Sequence, residues 1–507
     1  MTELIYHELD NNPGKVTLAS IPELEYGQFF EQTVLLMKKE SYHCLNYFSF
    51  PKNGFYHFYI LIANDNNHKI LIYSHKQKAD IKSLKSISAL CLPLHVFERE
   101  IHEITGIDFD GHLWLKPVRY PHNRFNPDTV MAEYPFYKIE GEEIHEVGVG
   151  PIHAGVIEPG HFRFQCYGEK VLHLEIQLGY QHRGIEELFI RDNNLLKCSV
   201  LSENIAGDTV VGHGLAYAQL AEHLTGRAED ELLKYERIIA LEMERIAVNI
   251  GDTAALCGDV AYQIGQVSCE ALRTIVINTM QDWCGNRFAK GLIRPGGTYY
   301  PLSKSIAAHI SGRLEEVRRR FSEIALMIYD DSGIQARFEN TGTVSQKQAL
   351  LSGAVGMAAR SSGLVRDIRM THPFQAYTEI KYLPARVEQG DVFARALLRK
   401  IEFDLSISVI NELLKKFENV SDIERKKPDY KLNPDPETLC VSLTEGWRGE
   451  ICHILITDNK GIPVKYKIKD PSLHNWYALA LAVRNQEISD FPVCNRSFNL
   501  SYCGNDL

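Results

Sequence analysis

Residues 150–187, GPIHAGVIEPGHFRFQCYGEKVLHLEIQLGYQHRGIEE, constrain this chain more than any other stretch. Phe162, Phe164 and Cys166, then Val171, Leu172, Leu174, Ile176 and Leu178, flank the turn signal Tyr167-Gly168-Glu169-Lys170. That pattern predicts two strands joined as a hairpin. Four histidines lie in the block, and Ile157-Glu158-Pro159-Gly160-His161 leads into it. A plain core hairpin does not need so many ionisable groups. A Glu on a Pro-Gly corner is, however, also how a solvated turn reads, so the residues alone leave both readings open. A helix is expected to begin near Arg183-Gly184-Ile185-Glu186.

The 11 cysteines stand at 44, 91, 166, 198, 257, 269, 284, 440, 452, 494 and 503, and no two form a C-x-x-C pair. Paired thiolates at that spacing are how a chain clasps zinc, nickel or an iron–sulfur cluster, so no local metal clasp is offered. The odd count fits reduced, mostly buried thiols rather than disulfides. A net charge of −10 argues against a nucleic-acid surface. The opening MTELIYHELDNNPGK lacks a basic start followed by an apolar run, and no apolar stretch approaches the roughly 18 residues of a membrane span. A cytoplasmic chain that meets a membrane only through partners is the expectation.

At 507 residues more than one core is expected. Residues 1–125 read as a small α+β domain, with strands at 56–62 and 69–73, a helical stretch over Asp80–Ala89, and a helix over 97–105 stopped by Gly106. Residues 126–147 are a Pro-, Asp- and Glu-containing connector. Residues 148–507 read as mainly helical with peripheral antiparallel strands, so the fold class is α+β. Apolar residues at three- and four-residue spacing predict helices near 209–225, 228–251, 254–283, 303–330, 345–362 and 390–418. Strands are expected at 441–458 and 464–468, after a polar loop from Arg425 to Pro436.

Several ordered motifs carry a resemblance. GPIHAGVIEPGHFRF and LGYQHRGIEEL resemble the opening of the catalytic subunit of energy-converting membrane-bound [NiFe] hydrogenases, of the hydrogenase-4 and formate hydrogenlyase type, and of its homologue, the quinone-site subunit of respiratory complex I. EREIHEITGIDFDGHLWLKP at 98–117 is similar to the signature of the small subunit beside it in complex I, so the two read as fused here. Leu292 to Gly297, the glycine-rich 340–377 and the strands at 449–476 extend the resemblance over nearly the whole chain.

The resemblance implies two Cys pairs holding nickel and iron. Aligning His213 with the family places Ala206 and Thr209 at the first pair, and Asp470-Pro471-Ser472-Leu473-His474-Asn475 places Ser472 and Asn475 at the second. A methyl, two hydroxyls and an amide supply no soft anionic donor, so no metal is expected. Complex I made the same loss and uses a His on the first hairpin loop and a Tyr near the lost pair. Here the loop keeps the hydrogenase form, Glu158-Pro159-Gly160-His161, and the Tyr position falls on Gly207. Glu158, His161 and His153 are the candidate catalytic groups, because an enclosed carboxylate is the kind of group that relays protons near neutral pH. Asp208, His213, His474 and Arg294 are candidate pocket residues; capping of the helix begun at Thr209 is an equal reading of Asp208. His182 and Arg183 read as structural, Arg360, Asp367 and Arg369 as a buried ion network, and Cys198 as a packed thiol.

What the resemblance implies is a peripheral-arm subunit of a membrane-associated oxidoreductase, lying between a small iron–sulfur subunit and antiporter-like membrane subunits on the inner face of the cell membrane. Its pocket would reduce quinone or another acceptor and couple that to proton movement, with no cofactor bound by this chain and the iron–sulfur clusters in a partner. A scaffold that only bridges modules, and a hydrogenase with an atypical metal site, are the alternatives. No glycine fingerprint for dinucleotide binding is present, so NAD chemistry would belong to another subunit.

Overall fold

A computed structural model describes residues 4–153, 157–192, 194–227, 230–418, 425–430 and 433–507. The N-terminal part is a four-stranded antiparallel sheet in the order His7–Leu9, Lys69–Lys78, Phe55–Asn64, Tyr42–Lys52. Its central strands are apolar on both faces because both are covered. Tyr47, Phe58, Ile60 and Tyr73 pack with Phe29 of helix Tyr26–Met37 and Phe97 and Ile101 of helix His95–Thr105. Leu45, Phe48, Leu61 and Ile72 face the other way and join the main core. Gly106, at φ 72°, ends the second helix in the left-handed region that favours glycine. The expected helix over Asp80–Ala89 is not formed. Ser83–Lys85 is instead a short strand parallel to Asp108–Asp110, and Ser86 and the Ile87 and Ser88 amides bind the buried Glu98 carboxylate.

The helical part is built around Glu231–Asp259, with Gln263–Cys284 and Val392–Glu418 packed against it and Lys304–Tyr329 packed against those two. The single helix expected over 345–362 is two, Gln346–Ser352 and Gly356–Arg360. Gly353 at φ 72° and the extended Val355 break it, and a Cβ on Gly356 would stand 2.1 Å from the Arg448 carbonyl. The predicted hairpin is His161–Tyr167 with Lys170–Gln177, and Ile144–Val149 adds a third strand.

A second four-stranded sheet runs Pro463–Lys469, Glu450–Thr457, Thr438–Glu445, Gly14–Thr17. Its last strand comes from the start of the chain, so residues on both sides of the connector share one sheet. Asn12 clamps the same junction through the Leu443 amide and carbonyl.

Among the described residues no helix is long and apolar enough to cross a membrane.

Candidate functional site

The site is assembled where the hairpin loop, the turn before helix Val210–Leu224 and the terminal helix Tyr502–Asp506 meet. That terminal helix is only five residues long and is tied down from outside. Arg183 donates to the Cys503 carbonyl, Arg119 to the Asn505 carbonyl, and the Gly179 and Gln181 amides to the Asp506 carboxylate. His182 donates to the Asp506 carbonyl at 2.7 Å, so His182 and Arg183 both hold this helix in place.

The Cys503 thiol faces the Gly207 amide, the Ser501 hydroxyl at 3.5 Å and the half-buried Glu158 carboxylate. Burial, and then the charge of Glu158, push this thiol up to about 11. It therefore carries its proton at neutral pH and is a poor nucleophile. Beside it Tyr502 is raised to about 12, chiefly by burial and further by Glu158, so its hydroxyl remains a donor. Tyr502, Phe162, Phe164, Phe491 and His153 wall a cavity of about 400 Å³ whose polar rim includes Asn495 and Arg496. The aromatic side chains come from alternate positions of the hairpin strand and from the C-terminal helices, and Tyr502 stacks edge-on to Trp476.

Thr209 and Asp208 meet a side chain that the sequence did not flag. Arg448 donates to both carboxylate oxygens of Asp208 at 2.6 Å and to the Thr209 hydroxyl at 3.1 Å, and its guanidinium lies over Trp447. Asp208 therefore does not cap the following helix. The Val211 and Gly212 amides donate instead to Glu244, at 2.7 and 3.2 Å. Burial pushes Glu244 up to about 8, outweighing those two bonds, and the Asp208 charge adds to it.

The remaining candidates lie elsewhere. His161, on the opposite strand face to Phe162, donates to the Gly150 carbonyl and accepts from Arg163 beside the Phe136 ring. His153 donates to the Gly160 carbonyl at 2.9 Å and does face the cavity. His213 is fully buried in a chain running Tyr466, His453, His213, Asp470, with contacts of 2.8, 3.1 and 3.1 Å. Burial opposes ionisation of Asp470, but His213 and Arg448 hold its carboxyl below the ordinary value. His474 lines a different cavity, against Phe97 at the seam with the N-terminal sheet. Arg294 is paired with Glu203 at 2.5 Å. The seven candidates are thus not one cluster: Glu158, His153 and Asp208 border the site, while His161, His213, His474 and Arg294 do not.

The four positions aligned with metal ligands do not fit nickel and iron. Thr209 is occupied by Arg448, Ser472 accepts the Ser501 amide, and Asn475 bonds the amide and carbonyl of Val355. Ala206 offers only a methyl, and the nearby guanidinium would repel a divalent cation. The Gly207 amide, within the Ala206–Thr209 turn, faces the Cys503 thiol. Among the described residues no group of three or more His, Cys, Asp or Glu is arranged to hold a metal.

Comparison with known proteins gives two family matches: the 30 kDa subunit of respiratory-chain NADH dehydrogenase over residues 29–138, and its 49 kDa subunit over residues 259–506. The carbon monoxide-induced hydrogenase of Rhodospirillum rubrum is 29% identical over 70% of this chain and 97% of its own length. Hydrogenase-4 component G of Escherichia coli is 24% identical over 90% of this chain and 81% of its own length. The NADH-quinone oxidoreductase C/D protein of Phocaeicola vulgatus is 23% identical over 85% and 88% in the same terms. Among solved structures, a chain of the membrane-bound sulfane sulfur reductase, an archaeal respiratory membrane complex, covers 73% of this chain and 100% of its own at a TM-score of 0.66 and 19% identity, a likeness of fold.

Proposed function

The chain is a fusion of complex I 30 kDa-like and 49 kDa-like domains, and from that premise we propose that it is a peripheral-arm subunit of a complex I-like, hydrogenase-related membrane complex, in which it supplies a metal-free pocket for a quinone-like acceptor. The observation that carries this reading is the aromatic cavity of about 400 Å³ with the Tyr502 hydroxyl at its wall and Glu158 behind it. A flat ring fills such walls, and a cavity in the range of roughly 300–1,000 Å³ suits one. Arrival of two electrons from a partner's iron–sulfur clusters and two protons converts a quinone to its quinol. Tyr502 donates a hydrogen bond to the ring carbonyl as negative charge develops there, and Glu158 resupplies protons past the Cys503 thiol. His153 orients the loop through its bond to Gly160. Antiporter-like membrane subunits would respond to that proton movement, with the arm held at the inner face of the cell membrane by its partners.

The test uses the purified complex with Glu158→Gln and Tyr502→Phe. Each is expected to lower acceptor turnover by about 10²-fold or more, the usual range for a lost proton donor, with assembly intact. Unchanged turnover in both would support the bridging scaffold instead. Elemental analysis is expected to find no stoichiometric nickel; nickel copurifying with hydrogen uptake would support the atypical hydrogenase.

A further inference from the structure

Away from that site, a cavity of about 240 Å³ lies in the seam between the N-terminal sheet and the helical part. Its floor holds an arginine unlike the other buried ones. Arg360, Arg369 and Arg399 are each paired with carboxylates, and Arg395 donates to Ser497 and two carbonyls. Arg366 is 7% exposed, and its hydrogen bond is a long one, 3.4 Å to the Ala354 carbonyl. Among the described residues no carboxylate lies within ion-pair distance of it. The two that influence it most are engaged elsewhere: Asp65 with His43 at 3.2 Å, and Glu450 with His43 at 2.6 Å and with Lys469. Burial accordingly depresses Arg366 below the ordinary guanidinium value.

A second unpartnered group lines the same space. His474 is 2% exposed and its Nδ1 has no hydrogen-bond partner; the atom sits 3.3 Å from where a Cβ on Gly353 would stand. Burial holds this imidazole neutral, so it has one N–H to give. The thiols in the wall, Cys44 and Cys91, are pushed up to about 12 and about 11 by burial and carry no charge. Lys38 and Lys39 stand at the rim against one carboxylate, Glu40.

We propose that this seam cavity binds a small organic anion through a phosphate or carboxylate group seated on the Arg366 guanidinium. The planar fork of arginine matches either group with two parallel N–H bonds. A buried guanidinium without a counter-charge is costly, and an anion there removes that cost. The space exceeds one phosphate, and Met37, Leu350 and Leu351 give the remainder of the ligand an apolar wall. Occupancy would join two halves of the chain, because Arg366 and His474 come from the helical part and Lys38 from the end of the first helix of the sheet domain.

Equilibrium dialysis of the full-length chain with inorganic phosphate, and in parallel with acetate, at constant ionic strength in chloride tests this. Saturable binding of one anion per chain is expected. Arg366→Gln should weaken it by about tenfold or more, as expected for loss of a charge-assisted bidentate pair, and Lys38→Gln by about two- to threefold, as for a screened rim charge. Preference for phosphate or for acetate identifies the head group. Because Arg366→Gln stands in the seam, Arg366→Lys and the rim variant Lys38→Gln are measured beside it, with circular dichroism to confirm folding. No saturable binding of either anion to the unaltered chain, or equal binding by the folded Arg366 and Lys38 variants, overturns the proposal.

Discussion

Two polar regions of the helical part differ in how completely they are satisfied. The first is the core of Arg245, Arg360, Arg369, Asp367, Glu242, Glu402 and Glu445. Arg360 bridges Glu445 and Glu402 at 2.9 and 3.0 Å, and Arg369 reaches Asp367 at 2.6 Å and Glu402 at 2.9 Å. Arg245 closes the ring by donating to the Glu445 backbone at 2.7 Å. The second region, around Cys503, is sparser: a half-buried carboxylate, a protonated thiol, a tyrosine at a cavity wall, and Asp208 with 41% of its side chain exposed. Closed networks fix one arrangement and keep little for a ligand, Arg360 Nε and Arg369 Nη1 being the guanidinium atoms here that make no hydrogen bond, whereas open ones keep donors and acceptors in reserve. Strong charge and deep burial therefore point away from the pocket proposed to be reactive.

The largest blow to that contrast comes from breaking the closed ring. Arg369→Leu leaves Asp367 and Glu402 short of a cation and should cost about 3–5 kcal/mol in urea unfolding; a cost under about 1 kcal/mol would mean that the ring is not cooperative. Next is Glu244, which lies between the two regions. Its carboxyl is raised to about 8 in the fold from an ordinary 4.5, so folding takes up a proton between those values. The stability it permits is full below about pH 4.5 and declines as pH rises towards 8. Glu244→Gln removes that slope, a gain at pH 8.5 over pH 5 of at most roughly 4 kcal/mol, with its partial exposure trimming the figure.

His43, at the seam, gives a slope of the same sign for the opposite reason, since there the fold favours the charged form. Asp65 and Glu450 on its two ring nitrogens outweigh burial and raise it to about 9 from 6.5. Its stabilising charge is fully present below pH 6.5 and is lost as pH climbs through 9. His43→Gln should flatten that decline, worth at most roughly 3 kcal/mol, as read from unfolding midpoints between about pH 6 and 9.5. The smallest effect sharpens the comparison most: Glu158→Gln should move unfolding stability by less than about 1 kcal/mol, although the same substitution is expected to lower turnover by about 10²-fold or more.

Much of the architecture could be read from the chain because period and turn chemistry are local. The hairpin, the long helices and the Gly106 stop follow from apolar spacing and from one residue that tolerates positive φ. Asp80–Ala89 misled because its helical composition is overridden by Glu98, which draws the Ser86–Ser88 segment into a turn. The 345–362 helix broke because Gly356 must pass against the Arg448–Gly449 backbone. At the site, Glu158 and His153 were legible through the hairpin loop. Arg448, Tyr502, Cys503 and Glu244 were not, since they arrive from points remote in sequence; the C-terminal Ser-Tyr-Cys-Gly was the one available signal. Alignment by Asp470-Pro471 directed attention to Ser472 and Asn475, whose side chains are engaged by the Ser501 amide and by Val355.

The strand Gly14–Thr17, laid along Thr438–Val441, has a consequence for assembly. Asn12 and Leu443, its clamp, are separated by 431 positions, so this strand is synthesised long before the one it pairs with. Such distant closure is slow, and until it happens the free edge invites a neighbouring chain. Covalent continuity turns that closure into an intramolecular event at an effective concentration of order millimolar. Encoding the two halves separately would leave the same edge waiting on diffusion.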